Sequence, residues 1–343
     1  MNGEMTKRQR EAWCLSALSV SSVMLLSGLC WVWVLAGCAA AALLRWLTVR
    51  LGGVDLAMKT ERAFGRVPGA VLLLLGAGWT ALVLARAARA AGDAYPDDGV
   101  ETLSAVVLLA LAVLSRWKGE QTGVRAAGLL AMFLTILYSI LLLSAAGEID
   151  WTWCGLWGGA EQAIMAFGVG LLPMAALWLP GSEKPSIKGA VIQTLAPTFA
   201  ALATVGMISP GVAQQEAMPF YTAAKSLSLL SVLERVEPLV SGALMLGFFC
   251  AASLLLNTAA AMICTALPKA DGKWTGLAVG SLALGLSWFT GRLPQIVWVA
   301  GSVVFWGILP LATLWIVELK KDSKIAKKRV DKQDKRGYND QAF

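Results

Sequence analysis

The stretch Pro219-Phe220-Tyr221-Thr222-Ala223-Ala224-Lys225-Ser226-Leu227-Ser228-Leu229-Leu230-Ser231-Val232-Leu233-Glu234-Arg235-Val236-Glu237 sets charged and apolar residues at helical spacing directly before a long apolar run. Leu227, Leu230, Val232 and Leu233 form one apolar stripe, so the segment reads as an amphipathic helix lying along a membrane surface. At Pro238 it is expected to turn into a span. The rest of the chain agrees with a bilayer setting. Of 343 residues, 57% are hydrophobic and 15% charged, and the mean hydropathy is +0.66. A soluble core of this size cannot hide that much apolar surface, which implies an all-α polytopic membrane protein.

Working outward, ten apolar runs approach the roughly 20 residues needed to cross a hydrocarbon layer. They cover approximately residues 12–27, 29–46, 68–91, 101–116, 126–146, 161–180, 189–208, 238–267, 274–290 and 294–318. The stretch from Trp13 carries no charge before Arg45, and Ser27-Gly28 divides it into a tight hairpin of two short helices. The fourth run is short, so Arg116 and Trp117 are expected to snorkel to the interface. The eighth is over-long, which implies tilt or an extension beyond the bilayer.

Charge tests that reading. With both termini in the cytoplasm, only Arg86, Arg89, Lys225, Arg235 and Arg292 of the 29 Lys and Arg fall on the outer side or in outer span ends. This is the positive-inside pattern, and an odd number of spans would destroy it. Trp46, Trp117, Trp151, Trp153, Trp178 and Trp274 are expected near the interfaces.

Several functional classes drop out. Leu35-Ala36-Gly37-Cys38 matches a lipoprotein cleavage box, but the apolar stretch before it is too long for a signal segment and continues to Leu44. Small residues packed within span 2 are the better reading. The six Cys contain no C-x-x-C and five lie in spans, so they read as packing residues rather than as disulfides or metal ligands. There is no His. The outer acidic patch Asp93, Asp97, Asp98 and Glu101 has no partner that would make it a catalytic pair, and no Gly-rich phosphate loop is present. Neither an enzyme nor a protein carrying a cofactor or metal is expected, and nucleic acid is not an expected partner.

The Leu233-Glu234-Arg235-Val236-Glu237 run resembles a signature of spore germination permeases of the GerAB type, in which such a stretch precedes the eighth span. The similarity is best over residues 158–267. There Gly168-Val169-Gly170 interrupts a span, Lys184-Pro185-Ser186-Ile187-Lys188-Gly189-Ala190 forms an inner loop, and Met207-Ile208-Ser209-Pro210-Gly211 ends span 7. Weaker echoes are Tyr95-Pro96 before span 4 and Arg116-Trp117-Lys118-Gly119 after it.

That family belongs to the amino acid, polyamine and organocation transporter superfamily. The resemblance implies two inverted five-helix repeats of the LeuT/APC-like kind, about 12–146 and 161–318, followed by a basic tail over 319–343. It also implies a central site where helices 1 and 6 unwind, since a broken helix offers free N–H groups to a carboxylate and carbonyls to a cation. The corresponding positions are Ser19-Val20-Ser21-Ser22 and Phe167-Gly168-Val169-Gly170. Span 1 departs from the family in lacking its Gly-containing run, and Ser19, Ser21 and Ser22 can bond a ligand or bond back to the carbonyls of an unbroken helix. Gly168 and Gly170 can equally serve close helix packing.

Other polar residues inside spans carry paired readings. Asn257, with Ser253 one turn earlier, is expected to bind a neighbouring helix or a ligand. Arg86 and Arg89 are expected to snorkel, with attraction of an anion as their second role. Gln193 and Glu161-Gln162 are expected at interfaces. Glu234 and Glu237 offset a helix dipole, and the resemblance adds contact of Glu234, Arg235 and Glu237 with a partner subunit. The tail from Lys320 is expected to be disordered and to rest on anionic lipid. The function implied is a membrane subunit of a spore nutrient germinant receptor that senses a small nutrient, an amino acid above all. Its partners would be a larger membrane subunit and a lipoprotein subunit in the spore inner membrane. A secondary transporter of amino acids or organic cations is the alternative, and a scaffold without ligand is the third reading.

Overall fold

The computed structural model describes residues 7–93, 100–180, 186–216, 218–226 and 237–321, and among them every regular element is helical. The helices are α1 (Lys7–Leu25), α2 (Trp31–Arg50), α3 (Leu56–Phe64), α4 (Arg66–Asp93), α5 (Val100–Lys118), α6 (Glu120–Ala145), α7 (Ala160–Gly170), α8 (Ile187–Ile208), α9 (Pro210–Gln215), α10 (Pro219–Ser226), α11 (Glu237–Ala266), α12 (Gly272–Thr290) and α13 (Gln295–Lys321). Six helical segments among the described residues are long and apolar enough to cross a membrane: α2, α4, Ala160–Trp178, α8, Val240–Ala266 and α13. α11 is the most deeply buried of them and packs against α1, α4, α5, α6 and α12.

Small residues set the helix spacing. A Cβ at Gly37 would stand 2.3 Å from the Ala163 carbonyl oxygen and 2.7 Å from the Ala166 Cβ, and one at Gly170 would stand 2.9 Å from the Ala41 Cβ. The Leu-Ala-Gly-Cys sequence is therefore the seam along which α2 meets α7, the close approach that small residues permit in membrane helices. Gly28 lies in the turn between α1 and α2. Its missing side chain lets the Ala213 carbonyl of α9 come within 2.7 Å of where a Cβ would be.

The two ends of the bundle are stitched by different chemistry. At the end where α1 begins, the Glu11 carboxylate accepts hydrogen bonds from the Ser186 N–H (2.9 Å) and hydroxyl (2.7 Å), while the Ser186 Oγ caps α8 by accepting from the Gly189 N–H. At the same end the Lys320 ammonium donates to the carbonyls of Ala63 (2.6 Å) and Arg62 (3.3 Å) at the end of α3, where a cation meets the negative pole of the helix dipole. Replacing Lys320 by Ala is expected to cost about 0.3–1 kcal/mol, read as a small fall in unfolding temperature in a fixed lipid nanodisc. At the opposite end the Cys30 N–H donates to Gln162 Oε1 (2.8 Å) and the Trp31 indole N–H to the Cys154 carbonyl (2.8 Å). These bonds fasten the segment after α6 over the start of α2. In that exposed segment the Thr152 hydroxyl and N–H hold the Asp150 carboxyl below its ordinary range.

Several side chains lie elsewhere than the sequence suggests. Arg116 turns inward: it donates to Asn257 Oδ1 (2.9 Å) and meets the Gly272 carbonyl at 3.5 Å. Trp178, expected at an interface, is 1% exposed, and Gln193 is wholly buried. Trp117 and Trp274 do stay at the surface, packed edge to face with ring centroids 5.5 Å apart. Of the surface helix, Pro219–Ser226 is seen as α10. Leu227, Leu230, Val232, Leu233, Glu234 and Arg235 lie outside the described residues, as does the tail beyond Lys321, and Glu237 opens α11.

Candidate functional site

α1 passes through Ser19-Val20-Ser21-Ser22 without a break. Each hydroxyl satisfies itself within the helix: Ser19 donates to the Ser16 carbonyl (2.8 Å), Ser21 to that of Ala17 (3.0 Å) and Ser22 to that of Ser19 (2.8 Å). The expected unwinding of helix 1 is absent, because serine hydroxyls that bond back to the i−3 and i−4 carbonyls leave the backbone ladder intact. The sixth span of the sequence reading, which opens with α7, does change. After Gly170 the chain tightens into a 3-10 segment over Leu172–Trp178, since Pro173 cannot supply the N–H that a continuing α-helix would send to the Val169 carbonyl.

A cavity of about 100 Å³ lies between α1, α4, α7 and α13. Its walls include Ser21, Val83, Gly168, Leu172, Trp298 and Trp306. Gly168 permits the closure, because a Cβ there would sit 3.1 Å from the Val299 side chain. Behind the wall, Trp79 of α4 packs on Trp298 (ring centroids 5.7 Å) and stacks with Phe305 (5.9 Å, 17° between planes). The Trp79 ring rests on Gly301, where a Cβ would come within 2.2–2.4 Å of it. In this region α13 takes a π-helical turn over Val303–Ile308, a wider winding that often accompanies functional sites.

Arg86 closes the cavity toward the end of the bundle where α1 finishes. Its guanidinium carbon lies 4.7 Å from the centroid of the Trp298 ring, a cation–π contact. Beyond it opens a polar vestibule of about 650 Å³, which shares Leu25, Arg86, Met165 and Gln295 with the inner cavity. Arg89, Asp93, Glu161 and Glu216 line the vestibule, and Arg89 pairs with Asp93 at 3.8 Å. The indole N–H groups of Trp298 and Trp306 are buried without a hydrogen-bond partner among the described residues. The inner cavity thus sets mainly apolar walls beside the Arg86 guanidinium, a lining that suits a small ligand with an acceptor group.

The sequence-derived candidates separate on this geometry. Ser21 and Gly168 line the cavity; Ser19, Ser22, Phe167, Gly170 and Asn257 do not. Gly170 faces α2, and its carbonyl accepts from Gln193 Nε2 (2.9 Å), whose Oε1 in turn receives Arg45 Nη1 (3.1 Å). Asn257 is fully buried and donates to the Ser253 carbonyl (2.8 Å), and the Ser253 hydroxyl meets the Trp13 indole N–H (2.9 Å). That chain of bonds joins α5 through α11 to α1. Of the cavity residues, Arg86 carries attraction of an anion only as its second role in the sequence, and Trp298 and Trp306 carry no site reading there. The available signal is spacing: Trp79, Val83 and Arg86 share one face of α4.

No protein-family profile and no curated protein matches the sequence. Among solved structures the chain is similar to Mhp1, a nucleobase-cation-symport-1 family transporter in a closed conformation with bromovinylhydantoin bound. The TM-score is 0.58 at 13% identity, over 88% of this chain and 76% of that one. At that identity the likeness shows a shared helical fold. An integral multi-pass membrane protein follows from that fold together with the apolar helices.

Proposed function

We propose that this transporter-fold protein is the GerAB-type membrane subunit of a spore germinant receptor, and that it senses a small nutrient, an amino acid above all, in the cavity between α1, α4, α7 and α13. The observation that carries the reading is a transporter-like bundle with an inner cavity that adjoins a polar vestibule. The Leu-Glu-Arg-Val-Glu signature before α11 supplies the germination side. In this reading ten crossings form two inverted five-helix repeats, both termini are cytoplasmic, and the larger membrane subunit and the lipoprotein subunit adjoin the bundle in the spore inner membrane. Glu234, Arg235 and Glu237 contact a partner. Ligand favours one packing of the helices around the cavity, and the shift it produces is limited by its differential affinity for the two packings.

Filling the cavity tests this. Val83→Trp places a large ring in about 100 Å³ of space, and spores carrying it are expected to lose the response to nutrient while keeping germination by a receptor-independent chemical trigger. Normal nutrient germination in spores lacking this chain, together with reduced cellular amino acid uptake, would abandon the receptor reading. It would favour a secondary transporter, the reading supported by the bound-ligand symporter that shares the fold.

A further inference from the structure

We infer that Arg86 of α4, rather than the backbone of helix 1, binds the ligand's acidic group, so that the ligand is a small carboxylate carrying a compact, uncharged apolar body. This rests on the ligand-sensing reading above and specifies its chemistry. An unbroken α1 offers no free N–H groups at Ser19–Ser22, because in a continuous helix each backbone N–H is spent on the carbonyl four residues earlier, and the serine hydroxyls there also close on carbonyls of their own helix. Arg86 is the cation shared by the inner cavity and the vestibule. Its one described contact is the face of Trp298, which holds the guanidinium in place and leaves its N–H groups free to donate. From that point inward the lining includes Val83, Met165, Leu172, Val299 and Trp306, with no carboxylate among the described lining residues. A charged side chain on the ligand would be buried there without compensation. The size also bounds the body: a dry cavity of about 150 Å³ holds benzene, so about 100 Å³ suits a branched aliphatic group or a single ring that reaches partly toward the vestibule.

The experiment is binding to the full chain in lipid nanodiscs, followed by calorimetry and by thermal stabilisation. The probes are L-leucine, L-phenylalanine, 4-methylpentanoate, L-glutamate, L-lysine and leucinol, which lacks the carboxylate. At least one of the first three is expected to bind, with glutamate, lysine and leucinol weaker. For that ligand, Arg86→Gln is expected to weaken binding about 10- to 100-fold, the worth of a charge-assisted hydrogen bond, whereas leucinol should bind both proteins alike. Arg86→Lys should recover part of the loss, because the charge returns without the planar fork. If the Gln variant does not fold, the Lys variant must still bind the carboxylate less tightly than wild type and leucinol equally. Undiminished carboxylate binding by Arg86→Gln overturns the inference but leaves the cavity reading standing, provided Val83→Trp abolishes binding. Absence of binding by all three carboxylates to the wild-type protein also overturns it, and germination by a nutrient of other chemistry would then keep the receptor reading alive. If carboxylates bind and Val83→Trp leaves that binding intact, both this inference and the cavity reading fail.

Discussion

Gln193→Leu is expected to cost about 3 kcal/mol of stability, the upper end of the penalty for leaving a buried hydrogen-bonding group unsatisfied, because the group left behind is charged. Arg45 is 5% exposed, and its Nε has no partner among the described residues. Gln193 is wholly buried, accepts from Arg45 Nη1 at 3.1 Å and passes its own N–H to the Gly170 carbonyl at 2.9 Å. A leucine at 193 fills similar space but leaves the guanidinium stranded in an apolar setting and the carbonyl at the end of α7 without its donor. Arg45→Met alone removes the charge and leaves only a neutral amide under-satisfied, so about 1–3 kcal/mol is expected. Combining the two substitutions should recover most of the loss, since replacing both partners of a buried hydrogen bond by apolar groups is close to neutral. Unfolding of the four proteins in one nanodisc composition completes the cycle. Simple additivity of the two single costs would show that Arg45 and Gln193 do not act as a unit.

The second large effect falls on the seam between α2 and α7. Gly37→Leu places a branched side chain where even a Cβ would be 2.3 Å from the Ala163 carbonyl oxygen. The obstacle is helix backbone, which cannot turn aside as a side-chain tip can. Over-packing of a core costs about 1–3 kcal/mol when neighbours can shift, and this site is expected to exceed that range and lower the yield of monodisperse protein. Gly78→Ala on α4 is the contrast. Nothing lies within 4 Å of a Cβ there, so the exchange should gain about 0.5–1 kcal/mol from helix propensity. Equal effects at positions 37 and 78 would contradict the seam.

What the sequence disclosed followed the strength of the physical signal. Apolar runs of membrane length are long-range patterns, and they gave the all-helical, membrane-embedded architecture and the hairpin turn at Ser27-Gly28. The small-residue reading of Leu-Ala-Gly-Cys agrees with the close contact of Gly37 and α7. The alternative offered for Ser19, Ser21 and Ser22, a bond back into an unbroken helix, is the one the structure takes. Arg86, Arg116 and Gln193 were harder, because a polar residue near a span end reads alike whether it points to headgroups or inward. Rotation about the helix axis decides between the two, and that rotation depends on neighbours far away in sequence. Asn257 lies 141 positions from Arg116 and Gln193 lies 148 from Arg45, separations that no local spacing rule spans. The aromatic wall was hidden for a related reason: Trp298 lines the cavity and Trp79 backs it, from helices far apart in the chain.

The central claim is that a ligand sits under Arg86, between α4 and α13, beside a helix 1 that stays wound. A cryo-electron microscopy map of the protein with a saturating small ligand, steadied by a bound antibody fragment, tests it most directly. The account predicts ligand density between Arg86 and Trp306 with α1 helical through Ser22. Ligand density held by an opened backbone at Ser19–Ser22, with the space beneath Arg86 unfilled, would contradict it.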